Sequence, residues 1–440
     1  MKMLFIDPTD VLLFRDGRSF SAATEDNLAV GYFPPYPTSV YGALRSVLLS
    51  EAGAAFDRLD FDLGDAVLQD GTPLQEIVGT KRELGTLAIR SFALARLHQG
   101  ETLRDGRPLR ATRLFPIPFD ILCEKDSLPD PSEKKEKPLE HAHASFLVPR
   151  PDATGRTNLP KDLDLLWLQN EMNGENNSAS GSDAVYTNAN GYLPEPAFRM
   201  LLKGDPDGLK DGISPSALFK EEPRTSVSIE GDTQTGKEGR LFTVGFARTA
   251  PDVGLAVSLT PEAATPSGVG WLRLGGEARS ARYSTCVMSP PSRPVSSSTD
   301  DAEISSSMAE AIRSNEGCFK LVLTTPAVFQ NGWLPNFISE DRSGIFAGCN
   351  VTLRSAAVAS HVHVGGWDIA AGRPKRTHRA VPAGSVYFFQ LDDPSDASRL
   401  PSDQTPTSLY PADTQKSQSF RRQGLGLAYL GTYAALDRDG

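Results

Sequence analysis

Four long polar stretches interrupt this chain, and they limit its fold more than any other feature. Residues 124–140 (EKDSLPDPSEKKEKPLE) hold ten charges and three prolines in seventeen positions, too little apolar surface to offset the entropy of ordering. Residues 169–191 contain six asparagines, residues 289–307 eight serines, and residues 393–418 are rich in Pro, Ser, Asp and Thr. Connections this long are uncommon inside compact domains. The segments between them still look globular, so the expectation is compact folds with insertions near 124–145, 169–191, 289–307 and 393–418. No fixed-period repeat is visible, which excludes a solenoid. A chain of 440 residues suits two or three domains and buries a full core without staples.

Between the insertions the periodicity is mixed. Residues 3–6 and 11–14 are apolar runs of strand length. Residues 38–53 (TSVYGALRSVLLSEAG) place Val40, Ala43, Leu44, Val47 and Leu48 on one helical stripe. Thr38 or Ser39 can cap that helix, and Gly53 suits the left-handed position after its end. Residues 240–246, 319–324 and 386–391 are β-branched or aromatic and read as strands. Residues 424–433 (GLGLAYLGTY) read as a Gly-rich turn and a final strand. Few long helices among scattered strands predict an α+β fold.

Charge and cysteine usage then exclude several classes. Lys and Arg number 45 against 55 Asp and Glu, a net charge of −10, so any nucleic-acid site must be a local patch. Cys123, Cys286, Cys318 and Cys349 share no CxxC spacing, which argues against a disulfide framework and a Cys-based zinc site. Asp7-Pro8 cuts short the first apolar run, and no run approaches the ~20 residues of a membrane helix. The expectation is a cytoplasmic protein with no membrane partner.

Three segments could hold an anion. In Phe14-Arg15-Asp16-Gly17-Arg18-Ser19-Phe20 a tight Asp-Gly turn is flanked by two guanidinium forks, which hold phosphate oxygens bidentately. The simpler reading of that motif alone is an exposed turn with an Arg–Asp pair. Residues 32–37 (YFPPYP) lead into the helix, exposing aromatics beside an N-terminus that favours anions, and Arg45 lies two turns further on. In Phe420-Arg421-Arg422-Gln423-Gly424-Leu425-Gly426 the arginines supply charge and the glycines permit close backbone approach. That GxG follows no strand, which rejects a dinucleotide fingerprint. Residues 373–379 (RPKRTHR) add four cations and His378 with no acid, and residues 96–113 contain five arginines.

Catalytic patterns are missing. His361/His363 and His141/His143 repeat an HxH spacing, yet no Cys or carboxylate is spaced to complete a metal site. No GxSxG, HExxH, P-loop or paired-carboxylate motif occurs. The expectation is therefore no catalytic residue, no metal and no cofactor.

Taken together, FRDGRSF at residue 14 and FPPYPTSVYGALRSVLL at 33–49 resemble the N-terminal signature of the CRISPR-associated RAMP superfamily, and within it the third subunit of type III-B (Cmr) effector complexes. Residues 222–229 (EPRTSVSI), 236–242 (GKEGRLF), Gly275-Gly276-Glu277 with Arg279 and Arg282, and 384–389 (GSVYFF) fall in that family's order. The closing GLGLAYLGTY resembles the superfamily's Gly-rich loop. The resemblance implies two tandem ferredoxin-like (RRM-related) domains, here 1–235 and 236–440. It implies a non-catalytic role: holding the 5′ handle of the CRISPR RNA beside the large cyclase/polymerase-type Cas subunit and a neighbouring backbone RAMP subunit. Carried onto this sequence, Arg15, Asp16, Gly17, Arg18, Ser39, Arg45, Arg421, Gly424 and Gly426 become the handle-side candidates. The bulky Arg421-Arg422-Gln423 departs from the usual loop. The alternatives are a Cas6-like processing endoribonuclease, for which His98 or His378 would have to serve, and the equivalent handle-binding subunit of a type III-A complex.

Overall fold

The computed structural model describes residues 2–15, 28–29, 31–53, 63, 66–68, 70–80, 83–101, 108–124, 144–150, 163–169, 186–229, 232, 235–266, 268–288, 300–368, 372–411 and 414–433. Helix α1, Pro37–Glu51, follows the expected stripe and buries Val40, Leu44, Val47 and Leu48, with Tyr41 and Leu49 beside them. It starts two residues earlier than a Thr38 cap would place it. Pro37 takes the first turn, where its missing N–H is no loss, and Tyr36 precedes it, so neither Thr38 nor Ser39 is the cap. Gly53 adopts the expected left-handed conformation, φ +73°.

The first sheet has seven strands, ordered Val269–Arg273, Ser280–Met288, Met3–Pro8, Val253–Thr260, Ala88–Leu97, Leu109–Pro116, Tyr192–Pro194. Leu109–Pro116 also pairs in parallel with Ser280–Met288, setting Leu109 opposite Cys286 and Ala111 opposite Met288. Five strands thus close into a ring. Met3, Phe5, Ala95, Leu109, Ala111, Ala256 and Cys286, drawn from all five, form one small apolar cluster. Leu4 and Ile6, on the opposite face, join the larger cluster around α1. A strand buried on both faces reads as a continuous apolar run, and this is why MLFI shows no alternation.

The second sheet has six strands, ordered Ser343–Phe346, Cys349–Ala357, Val386–Leu391, Cys318–Leu323, Leu427–Gly431, Thr407–Ser408. Phe319, Leu321, Tyr387, Phe389 and Leu430 fill one face. The other face carries Cys318, Val322, Phe388 and Tyr429, which pack with Phe115 and Leu193 of the first sheet and with Phe198 and Leu201 of the helix Glu195–Leu202. The two sheets therefore share a core. A separate hairpin, Phe219–Ile229 with Gly236–Thr249, pairs in parallel with Leu28–Ala29.

The α+β class stands, but the division of the chain differs from the sequence expectation. Val253–Thr260 and Ser280–Met288 flank Met3–Pro8, so the first sheet recruits strands from both sides of residue 235. The second sheet begins only at Cys318. Ring closure is a further departure from an open ferredoxin-like sheet. Residues 11–14 form no regular strand; Leu12 instead exchanges backbone hydrogen bonds with Ala247 of the hairpin. Of the four expected insertions, 393–418 is largely woven into the second core, with Ala397, Leu400, Leu409 and Tyr410 buried. Residues 300–314 form a helix that buries Met308 and Ile312. Polar composition concealed these few apolar anchors. Most of 124–145 and 169–191 lies outside the described residues.

Candidate nucleic-acid interface

The start of α1 and the tail of the chain meet at one place. Gly424 lies against Pro37 and Ile89 so closely that an added Cβ would come within 3.1 Å of the Pro37 Cβ and 2.9 Å of the Ile89 Cβ. Its φ of +79° also favours glycine. The preceding helix, Gln415–Arg422, ends in Arg421 and Arg422 and is capped by the Thr414 side chain, which accepts from the Ser417 N–H. On the α1 side, Tyr32 and Tyr36 stack at 4.4 Å and 24°. Tyr32 N–H donates to the Phe14 carbonyl, and Arg15 pairs with Gly31 through the backbone. The first turn of α1 has no acidic residue, so its positive dipole end is not neutralised locally. This junction brings Arg15, the tyrosine stack, Ser39 and Arg421 into one region.

The candidates fare differently within it. Arg15 and Arg421 are exposed, Ser39 is half-buried in the first turn, and Asp16, Gly17 and Arg18 lie outside the described residues. Arg45 is committed elsewhere: its Nε donates to the Val78 carbonyl at 2.7 Å and its Nη2 to the Thr80 carbonyl at 3.0 Å. It caps the short helix Leu74–Val78 instead of turning back to the start of α1. Gly424 and Gly426 are buried, and their N–H groups donate to the Arg421 and Pro326 carbonyls. A donor already paired inside the fold cannot also hold a phosphate. The two glycines serve close packing, Gly424 against Pro37 and Gly426 against the Tyr410 ring.

The basic run 373–379 lies beside this junction. His378 meets Phe420 edge-on at 5.4 Å. Burial lowers the His378 pKa, and the charges of Lys416 and Arg376 lower it further. Lys375 is exposed as a residue, yet crowding around its ammonium lowers its pKa. Arg45 adds to that shift, against the pull of Asp368. Arg422 reaches across to donate to the Leu84 carbonyl at 2.7 Å.

Sequence reading missed a second cluster, at the base of the long hairpin. Arg248 donates to Glu222 at 2.5 Å and to Asp10 at 3.0 Å, and Arg224 donates to Glu222 at 2.7 Å. Arg279 pairs with Glu277 at 2.8 Å, and Arg224 and Arg279 both lie over the Phe246 ring, at 5.2 and 4.8 Å. Hydrogen bonds from Arg248 and Arg224 push the Glu222 carboxyl down to about 2. Segments 222–229 and 275–282, recognised in sequence only for their order, are thus neighbours in space. The signal available was Glu222 and Arg224 two apart on a strand, hence on one face. Their arginines are neutralised by carboxylates, which makes this a structural brace. Among the described residues no three His, Cys, Asp or Glu side chains are grouped to hold a metal, and no helix is long and apolar enough to cross a membrane.

Fold and surface together define an α+β protein built on two antiparallel-rich sheets with an aromatic, cationic junction between them. The chain belongs to the family described as CRISPR-associated protein (Cas_Cmr3), whose model matches residues 4–433. It is thus a type III-B Cas subunit, as the sequence resemblance implied. No curated protein matches it. Among solved structures, one similar chain comes from a type III-B Cmr-beta complex bound to cognate target RNA and AMPPnP, with 15% identity, 88% of this chain and 86% of that one covered, and a TM-score of 0.40. Another comes from a Csm3–Csm4 subcomplex of the type III-A interference complex, with 10% identity, 99% and 100% covered, and a TM-score of 0.31.

Proposed function

We propose that this chain is a non-catalytic RNA-binding subunit that holds the 5′ handle of the CRISPR RNA, next to the large cyclase/polymerase-type subunit and one backbone RAMP subunit. The observation that carries the reading is the junction of Arg15, the Tyr32–Tyr36 stack, the α1 N-terminus and Arg421. Single-stranded RNA is held through phosphates on guanidinium forks and bases on aromatic rings. Strand order supports the ferredoxin-like part of the reading. In each sheet four strands, taken in chain order with other strands of the sheet between them, lie in the spatial order 4-1-3-2 with antiparallel neighbours. In the first sheet α1 joins strands one and two; in the second, Gln415–Arg422 precedes strand four.

Handle binding is tested by anisotropy with the full chain at several salt concentrations. Replacing Arg15 and Arg18 with alanine should weaken it about tenfold to a hundredfold. The slope of log affinity against log salt should flatten by about 0.7 for each phosphate that the variant no longer neutralises. An unaltered slope in a folded double variant removes these residues from the site.

Catalytic silence is tested separately. His98 Nε2 is engaged with Thr112 Oγ1 at 3.0 Å, and burial beside Phe420, with the charges of Lys416 and Arg376, lowers the His378 pKa. Among the described residues no carboxylate is paired with His378, and ribonuclease chemistry needs such an acid–base partner. Repeat RNA incubated with the protein should remain intact, and cleavage that disappears in His98→Ala or His378→Ala would overturn the assignment.

A further inference from the structure

Two strand pairs between residues 362–368 and 372–380 make a two-part hairpin. Val362–Val364 pairs with His378–Ala380, and Trp367–Asp368 pairs with Arg373–Pro374. Its root is fixed, because Val364, Ala380 and Val381 are buried in the core of the second sheet. Its outer part is densely cationic. Arg373, Lys375, Arg376 and Arg379 are all exposed, with Asp368 opposite Arg373 in the register and attracting Lys375. Several arginines elsewhere are neutralised: Arg96 by Asp252, Arg110 by Glu101, Arg248 by Glu222, Arg282 by Asp7 and Arg399 by Asp396. In a chain of net charge −10, four cations within seven residues repel one another, and Asp368, opposite Arg373, offsets only part of that charge. Trp367 stands on the same hairpin, 58% exposed, opposite Pro374. An exposed tryptophan among guanidinium groups suits a ligand with both anionic oxygens and flat rings.

We propose that this hairpin is a second RNA-binding element, sequence-independent, in which Arg373, Arg376 and Arg379 take phosphates of a single strand and Trp367 stacks on one base. It rests on the reading of the chain as an RNA-binding subunit but uses none of the residues assigned to the handle. A purely acidic protein surface would explain the cations and leave Trp367 without a role; single-stranded RNA uses both. The position of the hairpin, with Lys375 near Arg45 and His378 on Phe420, lets one strand run from the α1 junction across it.

The test uses the full chain and a uridine oligomer of about 12 nucleotides, within the span such surfaces cover. In the triple variant Arg373→Ala, Arg376→Ala, Arg379→Ala, affinity should fall at least about tenfold and the salt slope should flatten by about 2, as expected for three phosphates left without a cation. In Trp367→Ala, affinity should fall about fivefold to a hundredfold with the slope unchanged. The RNA-dependent quenching of tryptophan emission should disappear as well. Lysine at all three arginine positions should restore the slope, which separates a charge effect from misfolding. Native affinity and slope in a folded triple variant overturn the proposal and leave a protein partner for the hairpin. The handle reading stands or falls apart from this result, because the Arg15 and Arg18 variant is read on handle RNA and the hairpin variants on the uridine oligomer.

Discussion

Replacing Glu195 with alanine should destabilise the protein by about 3–5 kcal/mol, the expected loss when one partner of a buried ion pair is removed. Glu195, the first residue of the helix Glu195–Leu202, accepts from Arg113 Nε and Nη2 at 2.8 and 2.5 Å and from Arg199 Nη2 at 2.6 Å. Arg113 also donates to Ser91 Oγ and to the Tyr429 hydroxyl, and Arg199 donates to the Asp403 and Gln404 carbonyls. One carboxylate thus ties strands Ala88–Leu97 and Leu109–Pro116 of the first sheet to strand Leu427–Gly431 of the second. Without it, Arg113 keeps its charge with its side chain only 7% exposed. Urea unfolding should show the midpoint falling with little change in slope. A double variant, Arg113→Met with Glu195→Leu, should lose less than Glu195→Leu alone, since no buried cation is stranded on the first sheet. Burial acts to raise the Glu195 pKa, but the hydrogen bonds and charges of Arg113 and Arg199 outweigh it and hold it below its ordinary 4.5. The sign follows from linkage: this stability is present above pH 4.5 and is lost as pH falls through the lower folded value. Glu195→Gln should lack that acid-side dependence.

A loss of similar size, about 3–5 kcal/mol, is expected for Asp120→Ala. Lys320 Nζ donates to Asp120 Oδ2 at 2.6 Å, with the side chains 2% and 1% exposed, and lies 4.6 Å from the Phe146 ring centroid. Removing the carboxylate leaves an ammonium in the shared core beside Val322 and Phe388, where no solvent reaches it. Lys320→Met should also be costly, because it leaves the Asp120 carboxylate, 1% exposed, without its cation. Lys320→Met combined with Asp120→Leu should recover most of the stability. If Asp120→Ala unfolds at the native urea midpoint, the pair contributes nothing and the two-sheet core is held by apolar packing alone.

Much of the local structure was legible in the sequence. The stripe from Val40 to Leu48 announced α1, and the strand Val386–Leu391 falls where its aromatic run placed it. Gly53 and Gly424 were both readable as glycines with a conformational role, though only the first had the expected role. The site was legible in part. Arg15, Ser39 and Arg421 lie on the elements that meet at the α1 N-terminus, whereas Arg45 and the two tail glycines are occupied inside the fold. An arginine two turns into a helix reads the same whether it faces a ligand or a carbonyl across the core.

What the sequence determined is whatever neighbours along the chain decide: helix period, strand runs, turn glycines, the clustered charge of 373–379 and the family itself. Only the tertiary structure decided that Leu109 pairs with Cys286 to close the first sheet. It also decided that Lys320 meets Asp120 across 200 positions, and that Arg113 finds Tyr429 across 316. Backbone donors and buried charges must find partners somewhere, but a partner hundreds of residues away leaves no pattern beside the residue that needs it. The same holds for Gly424, whose tight approach to Pro37 exists only once the tail has crossed the first helix.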